Sequence, residues 1–193
     1  MLKNIIGLAF LIVLISCNSK ERPLSEAEKE TLLLKGDSIA SQAQKTLLQN
    51  VSQAIQTKGV AGAVDFCNEH AVLLTDSMAK LNTVHIQRLS DKNRNPKNDL
   101  TNELDKKIWS EMQELMQDST VRNKHIIAKE GNAIYYYKAI PIGMPTCLSC
   151  HGSKDKDIAP ETLQIINIKY PSDKATDYQM GQLRGIWKIN LNL

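Results

Sequence analysis

Residues 125–140 read HIIAKEGNAIYYYKAI, two apolar-rich runs on either side of the turn-forming triplet Glu130-Gly131-Asn132. Strand-forming residues that flank a short glycine-containing connection are typical of a β-hairpin. Residues 186–193 alternate polar and apolar side chains, as a half-buried strand does, and residues 83–89 alternate in the same way. The sequence therefore predicts a small antiparallel sheet.

Helical patterns account for much of the remaining chain. Ser25 and Glu28 form a capping box at the start of a first helix, whose apolar residues recur three, four or seven apart until Gly59. A second helix follows, and its apolar stripe includes Cys67. A third amphipathic helix is predicted over residues 104–116. Helices packed on a small antiparallel sheet, with a long helix at the N-terminus, make an α+β fold.

Residues 147–151 read CLSCH. Two thiols separated by two residues can add to the two vinyl groups at one edge of a haem, and the next residue then brings an imidazole to the iron. A zinc site would need two more ligands, and the sequence has no second CxxC and no HxxxH. A redox-active dithiol would leave His151 unexplained. Cys147, Cys150 and His151 therefore predict one covalently bound haem c, with His151 as an axial ligand.

The first 17 residues have the form of an export signal. Lys3 precedes an apolar run over residues 5–15, which is shorter than the roughly 20 residues of a membrane span. The run ends in Leu-Ile-Ser-Cys17, which resembles a bacterial lipobox, and the alternative is an ordinary signal anchor with an incidental cysteine. We therefore expect a lipoprotein signal peptide at 1–17 ending at an acylated Cys17, a tether at 18–24, and a single c-type haem domain at 25–193.

The net charge of the chain and its predicted export indicate which partners and which location to expect. The net charge of the whole chain is +3, and no basic tract is longer than Lys106-Lys107, so we expect no nucleic-acid partner. Because covalent haem attachment takes place outside the bacterial cytoplasm, the motif agrees with the leader. We expect the protein in the cell envelope, bound to a membrane by its lipid on the periplasmic or cell-surface face.

The spacing of residues in the sequence does not identify the second axial ligand of the iron. If lipid and haem use three of the four cysteines, Cys67 is a lone thiol, and such a thiol on an apolar face is often an inert core residue. His70 lies one helical turn further along nearly the same face and is its rival. Packing or surface roles are the better account of His85 and His125 and of the methionines on the third helix. Other candidate donors include Met144, which lies just before the motif.

Four segments in this order resemble a known family: residues 63–67 (AVDFC), residues 88–98 with Arg94-Asn95-Pro96, residues 141–152 around the haem motif, and residues 170–185 (YPSDKAT…GQLRG). The family consists of single-haem PAS-like domains typified by a photosystem-associated cyanobacterial c-type haem protein. The resemblance spans residues 47–193, and only the haem motif is specific by itself.

The resemblance implies a PAS-like fold, a small antiparallel sheet flanked by helices. It also implies a haem ligated by His151 and Cys67. His70 departs from the family pattern, so it stays a competitor. Residues 90–98 predict a surface loop, in which Arg94 is either a haem propionate contact or a solvated charge.

With both axial positions filled by the protein, electron transfer to an unidentified redox partner is the expected function. Thiolate ligation is expected to lower the haem potential. The alternative is a haem-based redox or gas sensor that acts through a partner protein. An enzyme such as a weak peroxidase would need an open distal position with an acid-base residue. We do not expect an enzyme.

Overall fold

The computed structural model describes residues 23–192, so the predicted leader and Cys17 lie outside the described residues. Four helices and four strands follow one another, with a short 3-10 helix at Pro96–Asn98: α1 (Glu26–Asn82), β1 (His85–Leu89), α2 (Glu103–Gln117), β2 (His125–Glu130), β3 (Ala133–Pro141), α3 (Pro145–His151), α4 (Pro160–Lys169) and β4 (Leu183–Asn190). Among residues 23–192, no helix combines the length and the apolar character needed to cross a bilayer.

Helix α1 consists of two helical arms. The backbone of Ser25 donates to the Glu28 carboxylate at 2.8 Å, and the Glu28 backbone donates to Ser25 Oγ at 3.3 Å, which confirms the capping box. Gly59 interrupts the helix with φ 73° and ψ 176°, a conformation that glycine reaches without a Cβ penalty. Thr46 Oγ1 lies 3.8 Å from Met78 Sδ, so the arms at 26–58 and 60–82 fold back on each other.

The four strands form one antiparallel sheet in the order β1-β4-β3-β2. The predicted hairpin is β2 and β3, and Gly131 adopts φ 57° at its turn. Strand β4 lies between β1 and β3, so the end of the chain pairs with a strand almost 100 residues earlier, with Arg88 opposite Trp187. This pairing joins the two halves of the sequence, and the predicted α+β fold is confirmed.

Each face of the sheet packs on a different helix. The first arm of α1 covers one face, where Leu32 and Ile39 contact Tyr136 and Trp187 in one core cluster. Helix α2 covers the opposite face with Ile108, Trp109 and Met112. A Cβ at Gly36 would lie 2.3 Å from the Tyr136 ring, so only glycine allows the helix this close to β3. The second arm of α1 extends past the sheet and packs on α4.

Residues 90–98 form the predicted loop, but two of its polar residues are buried. Ser90 and Asn93 are buried, with 2% and 5% of their surfaces exposed. Ser90 Oγ donates to the Arg184 carbonyl at 2.9 Å, and the Asn93 side chain donates to the Asn95 carbonyl at 3.1 Å. The polar side chains that indicated solvent therefore satisfy backbone groups inside the fold.

Candidate functional site

A mainly apolar cavity of about 230 Å³ lies between the two arms of α1, helix α3 and one edge of the sheet. At this edge β1 and β3 end and β4 begins. The first arm contributes aliphatic side chains such as Leu47 and Val51, and the second contributes Val64 and Cys67. Helix α3 contributes Cys147, Cys150 and His151 to the opposite wall. Among the described residues, the cavity thus brings together the CLSCH motif and the cysteine of the second helical arm.

Helix α3 explains how three functional side chains reach one cavity. The helix starts with Pro145, whose fixed φ suits the first helical turn and whose missing N–H costs no hydrogen bond there. Cys147, Cys150 and His151 are three and four residues apart, a spacing that places side chains on one helical face. Burial raises the pKa of the Cys150 thiol to about 11, so that thiol is protonated at neutral pH.

One carbonyl orients the His151 ring. Nδ1 lies 2.8 Å from the Ala175 carbonyl oxygen and 3.3 Å from Nε of Arg184. The shorter contact requires a proton on Nδ1, because a carbonyl can only accept. Desolvation holds the pKa of His151 well below its usual value, and the charges of Arg184 and Arg94 act in the same direction. The ring is therefore neutral, and the lone pair of Nε2 is available to a ligand.

Arg94 connects the motif to residues 170–178. Its guanidinium makes a fork-like pair with Asp173, with Nε–Oδ1 and Nη2–Oδ2 distances of 3.1 Å. The same Nη2 donates to the Cys150 carbonyl at 2.6 Å, where the last carbonyls of α3 need partners. Asp173 Oδ1 also accepts the Ala175 N–H at 2.9 Å. Arg94 is thus paired with Asp173 and is not a solvated charge. The Asp173 carboxylate in turn holds the backbone of Ala175, whose carbonyl orients His151.

Replacement of Asp173 by asparagine is expected to lower the free energy of unfolding by about 2 kcal/mol, the scale of a hydrogen bond to a charged group. The asparagine amide lacks the negative charge that pairs with Arg94. Water cannot replace it well, because only 6% of the Asp173 side chain is exposed. Urea unfolding of the full chain measures the change. The exposed Asp155→Asn is the control, and an equal loss in both variants would contradict the role given to Asp173.

The other candidate ligands lie away from the cavity. His70 is exposed, stacks on Phe66 with ring centroids 4.7 Å apart, and has Nε2 3.6 Å from a Glu69 oxygen. His85 is exposed on β1, and His125 stacks against Tyr136. None of these histidines and none of the described methionines lines the cavity.

Desolvation raises the pKa of the Cys67 thiol, and the charges of Arg88 and Arg94 partly oppose this rise.

Two site residues, Arg88 and Arg184, were not predicted as such. Both line the cavity, and burial lowers the pKa of each guanidinium, that of Arg184 to about 10. Arg88 lies over the Trp187 ring at 5.9 Å, and Nη1 of Arg184 donates to Ser90 Oγ at 3.2 Å. Both segments were noted for their resemblance to a family, but only the pairing of β1 with β4 brings the two arginines to one cavity.

The sequence matches the model of a protein family. The model of the Tll0287-like family matches residues 21–192, nearly the whole chain. The chain belongs to this family. The match includes every element of the fold and all residues of the cavity. No curated protein sequence matches the chain significantly.

The fold of this Tll0287-like protein is also similar to a solved structure. The crystal structure of the cyanobacterial heme-protein Tll0287 superposes with a TM-score of 0.62, covering 88% of this chain and 97% of that chain. The sequences are 19% identical over the match. At this identity the likeness shows a common fold, and the family match confirms the family that the sequence resembles.

Proposed function

We propose that this protein is an exported, lipid-anchored c-type cytochrome with one haem, and that it transfers electrons. The observation that carries the proposal is the meeting of Cys67, Cys147, Cys150 and His151 at one apolar cavity. The similarity to a protein described as a heme-protein supports the same cofactor. Lipid attachment at Cys17 is proposed from the sequence of the leader.

The residues of the cavity fit a haem. Cys147 and Cys150 would hold it through two thioether bonds, and His151 would offer Nε2 to the iron while Ala175 retains the proton on Nδ1. The aliphatic walls suit the apolar faces of a porphyrin. A bound haem supplies one-electron exchange between ferric and ferrous iron.

The chain's own side chains would favour electron transfer over chemistry at the iron. Cys67 would be the second protein ligand of the iron beside His151, so that no position stays open for a substrate. Leu47, Val51 and Val64 give the cavity an apolar wall near Cys67. Thiolate donation stabilises ferric iron, so we expect a lower potential than that of a cytochrome with His and Met ligands.

Haem attachment is tested by producing the full chain in a bacterium that assembles c-type cytochromes. Wild type is expected to be coloured and to retain a porphyrin mass after denaturation and acid extraction. The matched variant Cys147→Ala/Cys150→Ala is expected to lose the covalent mass while it retains its helical circular dichroism. Colourless wild-type protein without added mass would refute the proposal.

Sensing is the second candidate function. It requires the Cys67 thiol to leave the iron, so that a small molecule binds in its place. Carbon monoxide added to the ferrous holoprotein separates the two functions. Absence of binding at millimolar concentration supports electron transfer, and rapid binding supports a sensor that acts through a partner protein.

A further inference from the structure

Three arginines are the only charged residues among the described residues that line the cavity: Arg88, Arg94 and Arg184. Arg94 is paired with Asp173. Within the described part of the chain, no carboxylate oxygen lies within 4.0 Å of the guanidinium of Arg88 or of Arg184. The cavity wall therefore carries two positive charges without a counter-charge.

The contacts of these two arginines are all with neutral groups. Arg88 has one long hydrogen bond, 3.4 Å from Nη2 to the Ala71 carbonyl, and its guanidinium lies over the Trp187 ring. Arg184 Nη1 donates to Ser90 Oγ, and its Nε faces His151 Nδ1, which already donates to Ala175. Buried guanidinium groups are costly unless a negative charge and further hydrogen bonds compensate them. Each guanidinium retains N–H donors that such a partner could use.

The charge of the proposed cofactor complements this wall. The three positive charges of ferric iron are balanced by the porphyrin dianion and one thiolate. The net charge of the bound group is then that of its two propionate carboxylates. Guanidinium groups bind carboxylates with two parallel hydrogen bonds, a geometry that an ammonium group lacks.

We infer that Arg88 and Arg184 together bind the two propionates of the haem. The inference rests on the proposed function. The sequence suggested Arg94 as a propionate contact, but its guanidinium connects α3 to Asp173. Arg88 and Arg184 keep the interior of the cavity electrically neutral when the haem is bound, and their positive charges favour ferrous iron.

The test compares Arg88→Gln and Arg184→Gln with wild-type holoprotein. The propionate bending band in the resonance Raman spectrum is expected to shift in both variants, because it responds to hydrogen bonds at the carboxylates. Removal of a positive charge should also favour ferric iron. At a fixed potential, the ratio of reduced to oxidised protein is expected to fall about tenfold in each variant, equal to about 59 mV for one electron.

Arg122→Gln is the matched control, because Arg122 is exposed and lies outside the cavity lining. It should change neither the band nor the potential. If a glutamine variant fails to fold, Arg88→Lys and Arg184→Lys are measured in its place. Lysine keeps the positive charge but cannot form two parallel hydrogen bonds to a carboxylate. A shifted band with a near-native potential supports the inference, and an unshifted band overturns it.

The outcomes separate the inference from the proposed function. Wild-type protein without covalent porphyrin mass refutes both. Covalent haem in every variant, with band and potential unchanged from wild type, refutes only the role of Arg88 and Arg184.

Discussion

Replacement of Asp105 by alanine is expected to lower the free energy of unfolding by about 3–5 kcal/mol, the scale found when one partner of a buried ion pair is removed. Asp105 Oδ1 lies 2.8 Å from Lys188 Nζ and accepts the Tyr137 hydroxyl at 2.7 Å. Only 3% of the Asp105 side chain and 9% of the Lys188 side chain are exposed. Alanine would leave a buried ammonium and a buried hydroxyl without an acceptor. Urea unfolding of the full chain measures the loss.

The chain contains a matched control on the opposite face of the sheet. Asp37 accepts the Tyr136 hydroxyl at 3.0 Å and pairs with Lys138 Nζ at 2.7 Å, so the same three side-chain types meet. There 45% of the Asp37 side chain and 30% of the Lys138 side chain are exposed. Solvent screens this ion pair, but the Tyr136 hydroxyl also loses its acceptor, so Asp37→Ala is expected to cost about 1–2 kcal/mol, less than Asp105→Ala.

A double variant tests the cause of the Asp105 effect. Lys188→Met removes the charge that Asp105→Ala would leave unpaired, so the double variant is expected to recover part of the lost stability. Equal effects of Asp105→Ala and Asp37→Ala, or no recovery in the double variant, would show that burial of the pair does not determine its contribution.

The elements that depend on local signals could be predicted from the sequence. The capping box at Ser25, the break at Gly59 and the turn at Gly131 each depend on a few adjacent residues, and all three are confirmed. Helix α4 (Pro160–Lys169) was not predicted. Its aliphatic residues do not form one stripe, and Ile168 is 63% exposed while Ile166 is fully buried. A short helix with such a pattern has little amphipathic signal.

Local patterns predicted the site only where its residues are close in sequence, and Cys67 was assigned to it through the family resemblance. Cys147, Cys150 and His151 follow from one motif, because a single helix presents them. Arg88 and Arg184 are brought together by the pairing of β1 with β4, and no local pattern contains that pairing. The burial of Ser90 had the same origin, since its hydroxyl donates to the Arg184 carbonyl of β4. The polar composition of this loop therefore predicted that Ser90 is exposed to solvent, whereas the fold buries it and supplies its hydrogen-bond partner.

Cys67 is the proposed second ligand of the haem iron, and its replacement tests that assignment. Cys67→Ala is expected to abolish the low-spin thiolate signal in the electron paramagnetic resonance spectrum of the ferric protein. His70→Ala is expected to leave that signal unchanged, because His70 is exposed and beside Glu69 while Cys67 lines the cavity. The two residues are one helical turn apart, so the pair is closely matched.

Loss of the thiolate should also change the reactivity of the iron. Thiolate donation favours ferric iron, so Cys67→Ala is expected to raise the midpoint potential. It should also allow carbon monoxide to bind the ferrous protein, because one ligand position of the iron would then be open. Loss of the signal in His70→Ala alone would contradict this assignment. It would require the second arm of α1 to rotate about its axis when the cofactor binds, since the present orientation directs Cys67 and not His70 to the cavity.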